Sequence, residues 1–75
     1  MTVQFDNRHY TFAHGRAPRG YGCWAFFFST DEDQPWRATA AEPWFVARSM
    51  SFAEAKAAAR KEARARGART VFTAS

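Results

Sequence analysis

Cysteine is nearly absent from these 75 residues, and the single one, Cys23, excludes an internal disulfide. A cysteine-based zinc site needs several ligands more than Cys23 offers. No run approaches about 18 uninterrupted apolar residues, so no membrane-spanning segment is predicted. The first residues lack a charged stretch followed by an apolar one, and we expect no signal peptide. Because a free cysteine fits a reducing compartment, the expected location is the cytoplasm.

Signatures of catalysis are also missing, because the sequence contains no phosphate loop, nucleophile elbow or paired-histidine motif. His9 and His14 are five residues apart, which on one strand points them to opposite faces and argues against a metal site. Cys23 in an apolar strand is more typical of a small core residue than of a nucleophile. The acidic run 31–33 lacks the ligand spacing of a calcium loop and is interpreted as a solvated turn. We therefore expect no enzyme, no catalytic residues, no metal and no cofactor.

Aromatic residues are plentiful: eight Phe, three Trp and two Tyr. A chain this short forms one domain, residues 1–75, and buries only about 60% of the surface that its unfolded form exposes. Each buried aromatic removes about 150–250 Å² from water. The aromatics therefore suffice for one compact core, with some left for the surface.

Alternation of apolar residues predicts the strands. A hairpin is expected from residues 2–5 and 10–12 around a turn at 6–8. Residues 23–29 are apolar on both faces and predict a central strand, in which Trp24, Phe26 and Phe28 form the core under a helix. Further strands are predicted at 43–48 and 69–73, while residues 36–42 are ambiguous.

The helix signal is the clearest in the sequence. Ser51 and Glu54 form a capping box, good helix formers fill residues 53–66, and Gly67 provides a stop. One helical face consists of four small or apolar residues: Phe52, Ala55, Ala59 and Ala63. The predicted fold is α+β, an antiparallel sheet of four to five strands with one helix packed on one face, in the order β-β-β-(β)-α-β. The other face is then exposed or covered by a partner.

The net charge of +4 comes from the last third of the sequence. There, Lys56, Arg60 and Arg64 recur every four residues with Lys61 beside them, and we call these four residues the helix stripe. Like charges at this spacing cost about 0.2–0.5 kcal/mol per pair, so the stripe suggests an anionic partner. A solvated face that complements the helix dipole is the alternative interpretation.

A second basic cluster lies in the Gly-rich loop 15–22, which contains Arg16, Arg19 and Tyr21. The run 19–26, Arg-Gly-Tyr-Gly-Cys-Trp-Ala-Phe, resembles the RNP1 motif of RNA-recognition domains and is similar to a segment of cold-shock domains. It departs from that motif at Cys23 and Trp24. Aromatics on an open sheet face beside such a loop can stack bases and hold phosphates. Within the loop, Tyr21 is the better candidate for an exposed aromatic.

As an architecture, the chain resembles the small proteins that phages and mobile elements encode against host defences, the anti-CRISPR proteins among them. The segments that carry this resemblance are Trp-Ala-Phe-Phe-Phe at 24–28, Ser-Phe-Ala-Glu-Ala-Lys at 51–56 and Thr-Val-Phe at 70–72. The resemblance implies a phage-encoded inhibitor that docks stoichiometrically on a host nucleoprotein defence complex in the host cytoplasm.

Two hypotheses follow, and at this point we favour the inhibitor. Its partner would be a large protein or nucleoprotein complex, without membrane contact. The alternative is a direct DNA- or RNA-binding module, of a kind that also occurs in arm-binding parts of phage integrases. Both hypotheses use the same binding residues: Arg16, Arg19, Tyr21, Lys56, Arg60, Lys61 and Arg64. The nucleic-acid-binding module also uses the sheet aromatics, which would stack with bases. A homodimer through the uncovered sheet face is compatible with either.

Overall fold

A computed structural model describes residues 2–31, 33–40 and 42–74 of the chain. Its helices are α1 (Arg8–His14), α2 (Phe52–Arg66) and a 3₁₀ helix at Pro35–Ala40. Its strands are β1 (Gln4–Asp6), β2 (Tyr21–Gly22), β3 (Ala25–Ser29), β4 (Trp44–Phe45), β5 (Met50–Ser51) and β6 (Thr70–Thr73). The fold is therefore α+β, as predicted. None of the helices formed by these residues is both long and apolar enough to cross a membrane.

The main sheet has the strand order β1-β6-β3-β4, and β2 and β5 form a separate two-stranded ribbon. β3 is antiparallel to both of its neighbours, which confirms the central strand predicted from its two apolar faces. β1 is parallel to β6, with Phe5 opposite Val71. The expectation of an antiparallel sheet is thus wrong at this edge. The chain leaves β1 into a helix instead of returning as a hairpin, so β1 pairs with the C-terminal strand.

Helix α1 occupies the place of the second strand of the predicted hairpin, and that prediction is wrong. The Asp6 carboxylate accepts a hydrogen bond from the Arg8 backbone N–H at 3.0 Å and also pairs with the Arg8 guanidinium at 2.6 Å. These side-chain and backbone hydrogen bonds lower the pKa of Asp6, so the carboxylate stays charged at the start of the helix. Gly15 ends the helix, and its N–H bonds the Thr11 carbonyl at 2.8 Å.

The start and end of α2 agree with the sequence. The Ser51 hydroxyl accepts from the Glu54 N–H at 3.2 Å, which is the N-cap half of the predicted capping box. The Glu54 carboxylate accepts from the Ser51 hydroxyl at 3.1 Å, in place of the Ser51 backbone N–H that a full capping box uses. Gly67 adopts the left-handed conformation and its N–H reaches the last turn of the helix. Both ends of α2 are therefore fixed by the residues expected to fix them.

The alanine face of α2 lies directly on the sheet. Ala55, Ala59 and Ala63 are fully buried, and Phe26 and Val71 of the sheet are also fully buried. Since methyl groups occupy little depth, the helix backbone can approach the sheet closely, and the large sheet side chains supply the packing volume.

The predicted aromatic core under the helix is confirmed. Trp24 and Phe26 are buried, and Phe28 packs at the border of the same cluster. The Phe52 ring of α2 lies 4.9 Å from that of Trp24 and 6.3 Å from that of Phe26, measured between centroids. Edge-on and tilted aromatic pairs of this kind add to the energy of area burial.

The second face of the sheet is partly covered. The 3₁₀ helix packs against β3 and α1 packs against β6. This 3₁₀ helix accounts for most of the ambiguous residues 36–42, of which Ala41 lies outside the described residues.

The acidic run 31–33 is interpreted as a solvated turn, and its residue Glu32 lies outside the described residues. The Asp31 carboxylate accepts from the N–H groups of Gln34 and Asp33, and these bonds lower its pKa, as suits an exposed turn.

A leucine at Ala59 tests the close approach of α2 to the sheet. We expect Ala59→Leu to lower the free energy of unfolding by about 1–3 kcal/mol, because three extra carbons have no room under the helix. The matched control is Ala57→Leu, since Ala57 lies exposed on the same helix and should change stability by less than about 0.5 kcal/mol. Urea denaturation of both variants gives the comparison, and equal effects would contradict the packing described.

Candidate functional site

The loop that follows α1 borders an open concavity with a volume of about 360 Å³. The structure brings together here the three loop residues predicted from the sequence, and adds three that were not predicted. We call this site the arginine concavity and define it by six of its lining residues: His14, Arg16, Arg19, Tyr21, Cys23 and Phe45. The fold therefore joins the end of α1, the Gly-rich loop and the edge strand β4.

The Gly-rich loop is fixed to the start of α2. Gly20 has a φ of 89°, a left-handed conformation that lets the chain turn into β2. Its carbonyl accepts the Phe52 N–H at 2.9 Å, and Tyr21 pairs with Ser51 in the β2–β5 ribbon. Pro18, which lies between the two arginines in the sequence, is buried. These contacts fix Gly20 and Tyr21 at the start of α2, directly after the two arginines in the sequence.

The residues after the loop form the wall next to β3. The Trp24 indole N–H donates to the Met50 carbonyl at 3.0 Å, and the Cys23 sulfur lies 3.2 Å from the Ser49 hydroxyl. Cys23 is exposed, so its prediction as a core residue is wrong. The physical reason is that β3 begins at Ala25. Trp24 takes the buried position before the strand, and Cys23 is left in the loop.

The remaining wall belongs to α1. The His14 ring stacks on Tyr10 with centroids 4.1 Å apart, and Tyr10 lies 5.6 Å from Trp24. His14 is absent from the predicted site residues because the alternation at residues 10–12 predicted a strand. Tyr10 and His14 are four residues apart and Gly15 follows them, which is the spacing and the stop signal of a helix. That signal could have identified the wall.

Charge and aromatic surface coincide in the arginine concavity. Arg16 and Arg19 are exposed, and neither forms an ion pair with a described residue. No described carboxylate lines the site. Tyr21 is 73% exposed and Phe45 is 64% exposed. Two guanidinium groups and two aromatic rings are thus available to the same ligand, a combination suited to phosphates and planar bases.

The helix stripe lies elsewhere. The Lys56 ammonium is 5.1 Å and the Arg60 guanidinium 5.4 Å from the centroid of the Phe5 ring in β1, the sheet edge opposite β4. Cation–π contact offsets part of the like-charge cost, so these two residues have a packing role. Lys61 and Arg64 are exposed and form no ion pair with a described residue. No member of the stripe lines the arginine concavity.

The segment that resembles RNP1 is divided between the two sheets. Tyr21 lies in β2 and is exposed, whereas Phe26 lies in β3 and is fully buried under α2. Trp24 is buried as well. Of the aromatics in this segment, Tyr21 alone can therefore present its ring to a ligand.

Within the described ranges, no group of three or more His, Cys, Asp or Glu side chains is placed to hold a metal ion.

Comparisons of the chain with protein-family models, with curated proteins and with solved structures give no match. The candidate site thus stands on its own geometry.

Two glycines of the loop make a matched test of how the site is held. A Cβ at Gly20 or at Gly22 would meet nothing within 4 Å, but Gly20 alone of the two has positive φ. We expect Gly20→Ala to cost about 1–2 kcal/mol of stability, because an alanine is strained in the left-handed region. Gly22→Ala should cost far less. Urea denaturation measures both, and the account is wrong if the two variants are equally stable.

Proposed function

We propose that this chain is a small, non-enzymatic binding protein that recognises single-stranded nucleic acid through the arginine concavity. The observation that carries the proposal is the convergence of Arg16, Arg19, Tyr21 and Phe45 on one open site without a carboxylate. An isolated arginine is common on protein surfaces. Two that lack ion-pair partners among the described residues, next to two exposed aromatic rings, favour a ligand that carries both phosphate and a planar ring.

Each group has a defined role in this proposal. The guanidinium groups of Arg16 and Arg19 donate paired hydrogen bonds to phosphate oxygens, which fixes the backbone of the strand. The rings of Tyr21 and Phe45 stack with bases, at about 1–3 kcal/mol for each base. Because the bases of a duplex are already stacked inside it, these rings can reach them only in a single strand. The site therefore favours single strands over duplex.

The exposed part of the helix stripe would act at longer range. Lys61 and Arg64 raise the positive potential of the molecule without lining the concavity. Such charges increase the rate of association with a polyanion and make affinity sensitive to salt. Lys56 and Arg60, which contact Phe5, would contribute less to binding.

A second candidate function is inhibition of a host nucleoprotein defence complex by stoichiometric docking, with the protein encoded by a phage. The separation of the helix stripe from the arginine concavity favours it. A protein that follows one nucleic-acid strand uses a continuous basic groove. Two basic surfaces at different sheet edges suit a large partner that offers nucleic acid at one place and an acidic protein surface at another.

Fluorescence anisotropy with a labelled single-stranded oligonucleotide tests the first function. Arg19→Ala should weaken binding and reduce the slope of log affinity against log salt by about 0.7, the value for one phosphate contact on a single strand. The matched control is Arg37→Ala, which removes an exposed arginine outside both basic surfaces and should leave the slope nearly unchanged. A duplex of the same sequence should bind more weakly.

Two different outcomes would contradict the proposed nucleic-acid binding. Equal losses in the two variants would mean that only overall charge matters, and that the concavity is not the binding site. Absence of binding at about 50 mM salt, where phosphate contacts are strong, would reject direct recognition of free nucleic acid. In that case docking on a nucleoprotein complex would be the function to pursue.

A further inference from the structure

The wall of the arginine concavity that belongs to α1 carries a titratable side chain, His14, the last residue of the helix. Its side chain is exposed, and its ring lies at 22° to the plane of the Tyr10 ring on which it stacks. Tyr10 is buried and packs against Trp24. A buried ring thus supports the imidazole and holds it at the wall of the site.

Stacking uses one face of the imidazole and leaves the ring edge, with its two nitrogens, open. Neither nitrogen of His14 has a hydrogen-bond partner among the described residues. A neutral imidazole has one N–H donor, whereas the protonated ring has two donors and a positive charge. The protonated ring can therefore bind an anion at its edge, as the neighbouring guanidinium groups can.

The charges around His14 all have the same sign. The charged and titratable groups that face it from the rest of the concavity are Tyr10, Arg16, Arg19, Tyr21 and Cys23. Strand β6 also packs against α1, and it carries no titratable side chain. Because no described carboxylate lines the concavity, a phosphate of the ligand is the group that would pair with a protonated ring.

We infer that His14 is a third cationic contact of the arginine concavity, and that single-stranded nucleic acid binds more tightly when this ring carries a proton. Histidine side chains change charge between about pH 5 and 8. At the acidic end of that range, the ring pairs with a phosphate next to those held by Arg16 and Arg19. At the alkaline end the ring is neutral and this contact is weaker. Affinity therefore rises as the pH falls, and binding takes up a proton.

This inference rests on the proposed function, because it concerns the same site. Fluorescence anisotropy of the full chain with a labelled oligothymidylate at about pH 5.5 and about pH 7.5 tests it, since neither the bases nor the phosphodiesters of that strand titrate between these values. Wild type should bind about tenfold more tightly at the lower pH, the effect of one hydrogen bond to a charged group. The slope of log affinity against log salt should also become steeper by about 0.7, as for one more phosphate contact.

The two histidines of α1 provide a matched pair of variants. His14→Gln should bind nearly equally at the two pH values, because glutamine keeps a hydrogen-bonding side chain but takes no charge. His9→Gln should keep the pH dependence of wild type, since His9 lies on the same helix but does not line the concavity. Circular dichroism checks that both variants fold.

The proton can also be followed in wild type, without any variant. Imidazole NMR signals are titrated in the free protein and in the complex with the same oligothymidylate. The midpoint for His14 should move to higher pH in the complex, because the strand and the proton each favour the state that holds the other. The midpoint for His9 should move much less.

Equal wild-type affinity at both pH values, with binding that Arg19→Ala still weakens, would overturn the role of His14 and leave the nucleic-acid site in place. A pH dependence that persists in His14→Gln, or that disappears in His9→Gln, would overturn it as well. So would a His14 midpoint that binding does not move. Absence of binding at either pH would instead reject the proposed function and this inference together, so the two failures are distinguishable.

Discussion

The fold and the candidate site both depend on the first turn of α2. Ser51 caps the helix and, in the same position, pairs with Tyr21 across the β2–β5 ribbon. The next residue, Phe52, donates its backbone N–H to Gly20 and places its ring against the core. The Phe52 hydrogen bond therefore satisfies one of the free N–H groups of the helix start and at the same time positions the Gly-rich loop. The loop that carries Arg16 and Arg19 is therefore anchored at Gly20 to the first residue of α2.

The basic residues form two groups with different physical roles. In sequence, the helix stripe is the more regular of the two, and regular spacing suggested a shared purpose. In space, Lys56 and Arg60 lie over the ring of Phe5, and these cation–π contacts offset part of the repulsion between them. The irregularly spaced Arg16 and Arg19 are the cations that share an open site with aromatic rings. Spacing along a helix thus identified a surface, and the tertiary structure divides it into residues that contact Phe5 and residues that are exposed.

The sequence predicted the parts of the fold whose signals are local. The N-cap at Ser51, the alanine face and the central strand within residues 23–29 each depend on residues within a few turns or one strand, and each is confirmed. The parallel pairing of β1 with β6 joins residues more than sixty positions apart, and no local pattern encodes it. Around residues 8–14, strand propensity at Tyr10, Thr11 and Phe12 competed with a helical spacing and a glycine stop. Burial of Tyr10 against Trp24 decides for the helix, and this information is tertiary. Phe45 could not be assigned to the site from the sequence, because tertiary contacts place it beside the Gly-rich loop.

One concavity, rather than a general positive charge, is the proposed binding site for nucleic acid. The most direct measurement is an amide chemical-shift titration of the labelled protein with a short single-stranded oligonucleotide. The account predicts that shifts concentrate at Arg19, Gly20, Tyr21 and Gly22 and extend to His14 and Phe45. Shifts confined to the exposed face of α2 around Lys61 and Arg64, or no shifts at low salt, would contradict it.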